Sequence, residues 1–303
     1  MSEADTKFRE PAQPAGGARG APPGSQDAAA ISGAHHPSSA RRILVKLGGR
    51  VQGDPALPAA IARLCADRPG GVVVVHGGGD EVSALQRALG LEPRFVGGRR
   101  VTGPQDLELV RMALSGTSNK RVVGALLSAG VPAVGVSGED AAMLLAEVAD
   151  AALGRVGRVT RVDARLLETL LAAGYVPVVS PLARDAAGGG ALNVNGDDAA
   201  AAIAAAVGAE EVLFLADVPG VLDDGSLVPA LDADGARALV ARGVAAGGMA
   251  AKLDAALAAL AAGVARARIG GLDALGDPAS GTLVSLAPAD AGATRSTPAA
   301  ASR

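Results

Sequence analysis

Two kinds of apolar pattern alternate along the chain. Short runs with almost no polar relief, ILVKL (43–47), VVVV (72–75), AVGV (133–136), YVPVVS (175–180) and VLFLA (212–216), read as strands buried on both faces. Between them apolar residues recur at helical spacing, over 55–66, from Asp80 through Val82, Leu85 and Leu89, and over about 105–128. Further helices are expected at 164–172, 198–207, 236–242 and 250–262, and closing strands near 265–269 and 282–286. The stretch 139–162 fits neither period well and predicts short antiparallel strands or a hairpin. The rhythm of strand and helix argues for an α/β fold, a three-layer αβα sandwich around a mostly parallel central sheet.

Where strands end, the pattern breaks in a telling way. The valine run stops at His76 and Gly77, Gly78, Gly79, then restarts as a helix with Asp80 and Glu81 in its first turn, where the helix dipole favours acids. Glycines there let another molecule approach the backbone, although a bare tight turn has the same sequence. A second junction, KLGG at 46–49, puts a lysine just ahead of glycines. Backbone N–H groups, a helix N-terminus and a lysine together make a site for phosphate oxygens. Two such junctions at the carboxyl ends of strands can face one crevice. There is no G-x-x-x-x-G-K-[ST] and no G-x-G-x-x-G after a strand, so neither a P-loop nor a dinucleotide fingerprint is present.

Three more segments carry chemistry. VGGRRVTG (97–104) sets two arginines on a glycine-flanked loop; Arg100 is a candidate carboxylate clamp, and Arg99 reads as surface charge. LNVNGDDAAAA (192–202) offers Asn193, Asn195, Asp197 and Asp198 before a helix, more than one cap requires. GGMAAKLDAA (247–256) opens a helix and carries Lys252 in its first turns.

Composition narrows the partners. In 303 residues the net charge is −3, and aromatics are nearly absent, so neither a basic field nor stacking platforms exist for nucleic acid. Hydrophobic residues make up 49% of the chain, but the longest apolar stretches fall short of the roughly 20 residues that span a bilayer. The single cysteine, Cys65, lies on a helical apolar pattern and reads as a core residue in a reducing compartment. Residues 1–40 and 287–303 lack periodicity and read as disordered tails, the first without the apolar core of a secretory signal. His35 and His36 read as solvated tail residues, and no metal site is expected.

Taken in order, KLGG, HGGG, RVT, NVNGDD, ADVPGVL (216–222) and GGMAAK resemble the amino acid kinase family over roughly 41–286. RVT followed by LELVRMALSGTSNK (107–120) is most similar to members that phosphorylate the γ-carboxylate of N-acetyl-L-glutamate in arginine biosynthesis. The resemblance implies an N-terminal part that binds substrate and a C-terminal part that binds ATP. It implies that Lys46 and Lys252 stabilise charge on the moving phosphoryl group while Asp197 holds the two lysines. Gly48, Gly49 and Gly78 would donate N–H bonds to phosphoryl oxygens. Arg100 and Asn193 would grip the substrate's α-carboxylate, with Gly78 and Gly79 against its body. Asp217, Gly248 and Met249 would form the ATP side, with Mg²⁺ bridging the phosphates. A cytoplasmic homodimer is expected. ISGAHHPSSA (31–40) and LDALGDPAS (272–280) lack the segments of arginine-inhibited members, which predicts no feedback by arginine. Two rival readings are a sister kinase acting on aminoadipate or glutamate linked to a carrier protein, and a non-catalytic nucleotide-binding regulator.

Overall fold

The computed structural model describes residues 41–287. The tails expected at 1–40 and, but for Ala287, at 287–303 lie outside the described residues.

The elements run β1 (Ile43–Leu47), α1 (Leu57–Asp67), β2 (Val72–His76), α2 (Gly79–Ala88), β3 (Phe95–Val96), β4 (Arg99–Arg100) and α3 (Pro104–Arg111). A π-helical segment, Met112–Ser118, joins α3 without a break to α4 (Asn119–Ser128), and β5 (Ala133–Ser137), β6 (Leu144–Val148) and β7 (Val156–Val162) follow. Next come α5 (Arg165–Ala172), β8 (Val176–Ser180), β9 (Leu182–Asp185), β10 (Ala191–Val194), α6 (Gly196–Ala206) and β11 (Glu211–Leu215). The chain closes with β12 (Leu222–Asp223), β13 (Ser226–Leu227), β14 (Ala230–Asp232), α7 (Ala233–Ala241), α8 (Gly248–Ala261), β15 (Arg266–Gly270) and β16 (Thr282–Ser285).

One eight-stranded sheet, in the order β14-β16-β15-β11-β1-β2-β8-β5, forms the middle layer. Its pairs are parallel except β15 with β16. The unrelieved valine and leucine runs have this cause: β1, β2, β8 and β11 are buried along their whole length, because helices cover both faces. Alternate residues feed two cores. Ile43, Val45, Val72 and Val74 pack with α1 and α4, while Leu44, Val73 and Val75 pack with α5, α6 and α8. The three-layer expectation holds.

Lys46 belongs by alternation to the α6 face, which takes its stem off the core floor and toward the carboxyl end of the sheet. Over that end stands a small closed barrel of β6, β7, β10 and β9, the form taken by the ambiguous stretch 139–162 together with a hairpin around Gly188–Gly190. The expected single helix over 105–128 is interrupted by the π segment. A third, smaller core of Val82, Leu107, Val110, Leu114 and Leu182 packs α2 and α3 beside the barrel. Cys65 packs at the edge of the α1 core, where burial pushes its thiol up to about 11.

Candidate active site

The site begins with a charge arrangement at the carboxyl ends of β1 and β10. Lys46 from β1 and Lys252 from α8 share one carboxylate. Lys46 Nζ lies 2.8 Å from Asp197 Oδ1, and Lys252 Nζ lies 3.5 Å from Oδ2. The Lys46 and Asp197 side chains are 7% and 6% exposed, so water screens them little. Burial lowers the pKa of Lys46 despite the facing Asp197, and Lys252 adds to the lowering. Two ammonium groups against one carboxylate make an arrangement suited to receive an anion.

Asp197 is set by α6. Asn195 caps that helix, its Oδ1 accepting from the backbone N–H of Asp197 at 2.7 Å and of Asp198 at 3.3 Å. The run of four polar residues is therefore divided: Asn195 caps, Asp197 pairs with the lysines, Asn193 donates to Thr102 Oγ1 at 3.1 Å, and Asp198 pairs with Arg99 at 3.1 Å.

The glycine turn after β2 forms the next wall. Gly78 has φ +153°, and a Cβ there would meet Leu114 Cδ2 at 2.7 Å and Ser118 Oγ at 3.0 Å, so only glycine fits. Gly48 is equally confined: a Cβ would lie 2.8 Å from the carbonyl of Leu215. Its own N–H already donates to that carbonyl at 3.1 Å, so the bond expected from Gly48 to a phosphoryl oxygen is used within the backbone here. His76, which sequence reasoning gave no role, anchors the turn. Asn119 Nδ2 donates to His76 Nε2 at 3.1 Å and to the Val178 carbonyl at 2.9 Å. With Nε2 accepting, the proton sits on Nδ1 and goes to the Gly77 carbonyl at 2.8 Å. Burial holds this imidazole neutral, with its pKa lowered to about 4.

Lys46, Asp197, Asn193, Gly78, Gly79 and Arg100 are brought together on one cavity of about 220 Å³, closed on its apolar side by Val82, Val110 and Leu114. Arg99 adds to an expectation. Its side chain is 41% exposed, as a surface charge would be, yet it also lines the cavity, because the tight β3–β4 hairpin turns its guanidinium onto Asp198 at the N-terminus of α6. It borders both this cavity and a second one against the start of α8, which Gly248 lines. Asp217 stands apart: it accepts from Arg50 Nη1 at 2.8 Å and lines a third cavity with Val51 and Gly271. Met249 packs against the core rather than into either space, and Gly49 begins the turn that carries Arg50. His76, Asn119, Ser83 and Gln86 were missed because each sits singly in an apolar or helical pattern. Their burial shows only once the chain is folded.

Comparison with known proteins bears on the family and the fold. Residues 41–271 match the model of the amino acid kinase family. A relative from Chloroflexus aurantiacus named acetylglutamate kinase is 44% identical over 77% of this chain and 93% of its own length. One of the same name from Geobacillus kaustophilus is 47% identical over 73% of this chain and 86% of its own. Among solved structures, smu.665 from Streptococcus mutans UA159 superposes with a TM-score of 0.74 at 27% identity, over 82% of this chain and 99% of its own.

Proposed function

This chain belongs to the amino acid kinase family, and on that premise we propose that it transfers the γ-phosphoryl group of ATP to the γ-carboxylate of N-acetyl-L-glutamate, a step of arginine biosynthesis. The observation that carries the reading is that Lys46 and Lys252 share the single carboxylate of Asp197, and that Lys46 and Asp197 line one cavity with the guanidinium of Arg100 and the amide of Asn193.

Phosphoryl transfer asks for alignment and for charge neutralisation, with little covalent help. A γ-carboxylate oxygen attacks the γ-phosphorus, the bond to the β–γ bridging oxygen breaks, and ADP leaves. Lys46 faces the substrate side of the moving group and Lys252 the nucleotide side. Asp197 keeps both ammonium groups aimed. Arg100 and Asn193 take the α-carboxylate, and the N–H groups of Gly49, Gly78 and Gly79 face the oxygens. Gly248, Met249 and Asp217 belong to the nucleotide side. Mg²⁺ would enter with the nucleotide and would supply neutralisation of phosphate charge, without a dedicated protein cage. The same reading carries a homodimer as the assembly and the cytoplasm as its compartment.

The test is ADP release with Mg-ATP and N-acetyl-L-glutamate, free glutamate, N-succinyl-glutamate or N-acetyl-aminoadipate. Turnover on N-acetyl-L-glutamate is expected. Silence across the panel from folded protein that binds ATP would overturn the assignment.

A further inference from the structure

Arg100 reaches the substrate cavity with most of its donors already taken. Its guanidinium lies against one face of α2, where Gly79, Ser83 and Gln86 follow at i, i+4 and i+7. Nη2 donates to the carbonyl of Gly79 at 2.7 Å and to Ser83 Oγ at 2.7 Å, and Nη1 donates to Gln86 Oε1. Ser83 passes its own proton to the Gly79 carbonyl at 2.9 Å. The ring of Phe95 covers the guanidinium at 4.7 Å.

The chain of donors continues past Gln86. A guanidinium can only donate, so Gln86 must turn Oε1 to it and Nε2 away. Nε2 donates to Asp106 Oδ1 at 2.6 Å, and the other Asp106 oxygen accepts the N–H of Gly103 at 2.9 Å. Arg100 is 8% exposed, Ser83 7% and Gln86 1%, so water offers little competition. The line Arg100–Gln86–Asp106–Gly103 ties together α2, the strand of Arg100 and the start of α3, three walls of one cavity.

Both hydrogens of Nη2 are spent, one on each edge by which a guanidinium takes a carboxylate with two bonds. A carboxylate entering the cavity therefore meets a fixed cation. We propose that Gln86, assisted by Ser83, is a positioning residue that holds Arg100 in one orientation for the substrate's carboxylate, and that Asp106 sets the hold by orienting the Gln86 amide. The proposal rests on the reading of Arg100 as the partner of that carboxylate. Ordering a long side chain during folding spares that cost at binding, so the relay acts on substrate affinity rather than on phosphoryl transfer.

Kinetics and one spectroscopic signature test it. Gln86→Leu is expected to raise KM for N-acetyl-L-glutamate about tenfold, leaving kcat and KM for ATP within about twofold. Gln86→Glu alone sets two carboxylates face to face, and Asp106→Asn alone leaves one acceptor oxygen for two donors, Gln86 Nε2 and the N–H of Gly103. Each is expected to raise KM for N-acetyl-L-glutamate as well. The double variant Gln86→Glu/Asp106→Asn restores donors and acceptors along the whole line at the same net charge, and KM is expected to return to within about threefold of the parent. In the ligand-free protein, NMR of the Arg100 guanidinium, assigned by its loss in Arg100→Lys, should show slow rotation of the Nη groups that Gln86→Leu makes fast. Unchanged rotation in Gln86→Leu overturns the proposal, as does a double variant no better than its single parents or a joint fall in kcat and KM for both substrates. If the parent protein ignores N-acetyl-L-glutamate, the substrate reading falls by itself and the rotation measurement alone decides the positioning.

Discussion

Lys46 illustrates how one residue can contradict its surroundings and define the site by doing so. It is the charged member of a strand whose other four residues are core, and burial disfavours its charge. Asp197 opposes that penalty, and an incoming phosphoryl group opposes it further. Removing one stabiliser of transition-state charge typically costs about 10²–10³ in kcat, or roughly 3–4 kcal/mol. Lys46→Ala and Lys252→Ala are each expected to lose activity on that scale with far-UV CD unchanged. A variant that kept near-parental kcat would remove its lysine from the mechanism. Lys46 was legible as a local pattern, a lysine in an apolar strand beside Gly-Gly, whereas Lys252 alone reads as an ordinary helix lysine. The role of Lys252 and the shared carboxylate of Asp197 were implied only by the family resemblance, not by any local spacing. Residues 46, 197 and 252 meet only through the sheet order, which joins β1 to β2 and β11 and lays α6 and α8 over the same face.

Between elements, the joint that matters most is the one from β2 to α4. His76 ends the strand, Asn119 opens the helix, and their hydrogen bond fixes the Gly77 carbonyl and with it the glycine turn. The bond needs Nε2 unprotonated. Between pH 6.5 and about 4 an unfolded histidine binds a proton that the buried one refuses, so stability is lost as pH falls through that window. The gap is worth about 3 kcal/mol in full. Urea midpoints at pH 7, 6 and 5 should fall less steeply in His76→Gln than in the parent, and equal slopes would remove His76 as the cause. Strand and helix positions over most of the chain were legible within a few residues, because burial on both faces writes long apolar runs. The two-residue strands β3, β4, β12 and β13 are too short for any period to register. The π segment was hidden for a different reason: MALSGTS continues the helical alternation of its flanks, and only the backbone bonding differs.

Across the whole molecule the sheet separates chemistry from cohesion. The proposed reacting groups gather at the carboxyl ends of the strands, while a buried ion pair lies at the amino ends. Arg268 of β15 donates to Glu211 of β11 at 2.5 Å and to the carbonyls of Ala274, Asp277 and Ser280, so one side chain fastens two strands and the 272–280 loop. Glu211→Gln leaves a buried guanidinium without its counter-charge, which costs about 3 kcal/mol or more. The expected outcome is a Tm lower by about 10 °C with kcat at low temperature within about twofold of the parent. A comparable fall in kcat would mean that the two ends are coupled. The π segment also sets a rule for how this chain can vary in length. A turn closed by i→i+5 bonds holds about one residue more than an α turn, and each residue rotates the remainder of the helix by about 100°. Leu114 lies within that turn and faces the cavity, and Asn119 lies just past it and faces His76. Deleting one residue from Met112–Ser118 would turn Asn119 off the histidine while leaving the apolar pattern intact. In sequences that share this site, gaps should therefore collect outside 104–128, although nothing in the composition of that helix announces a fixed length.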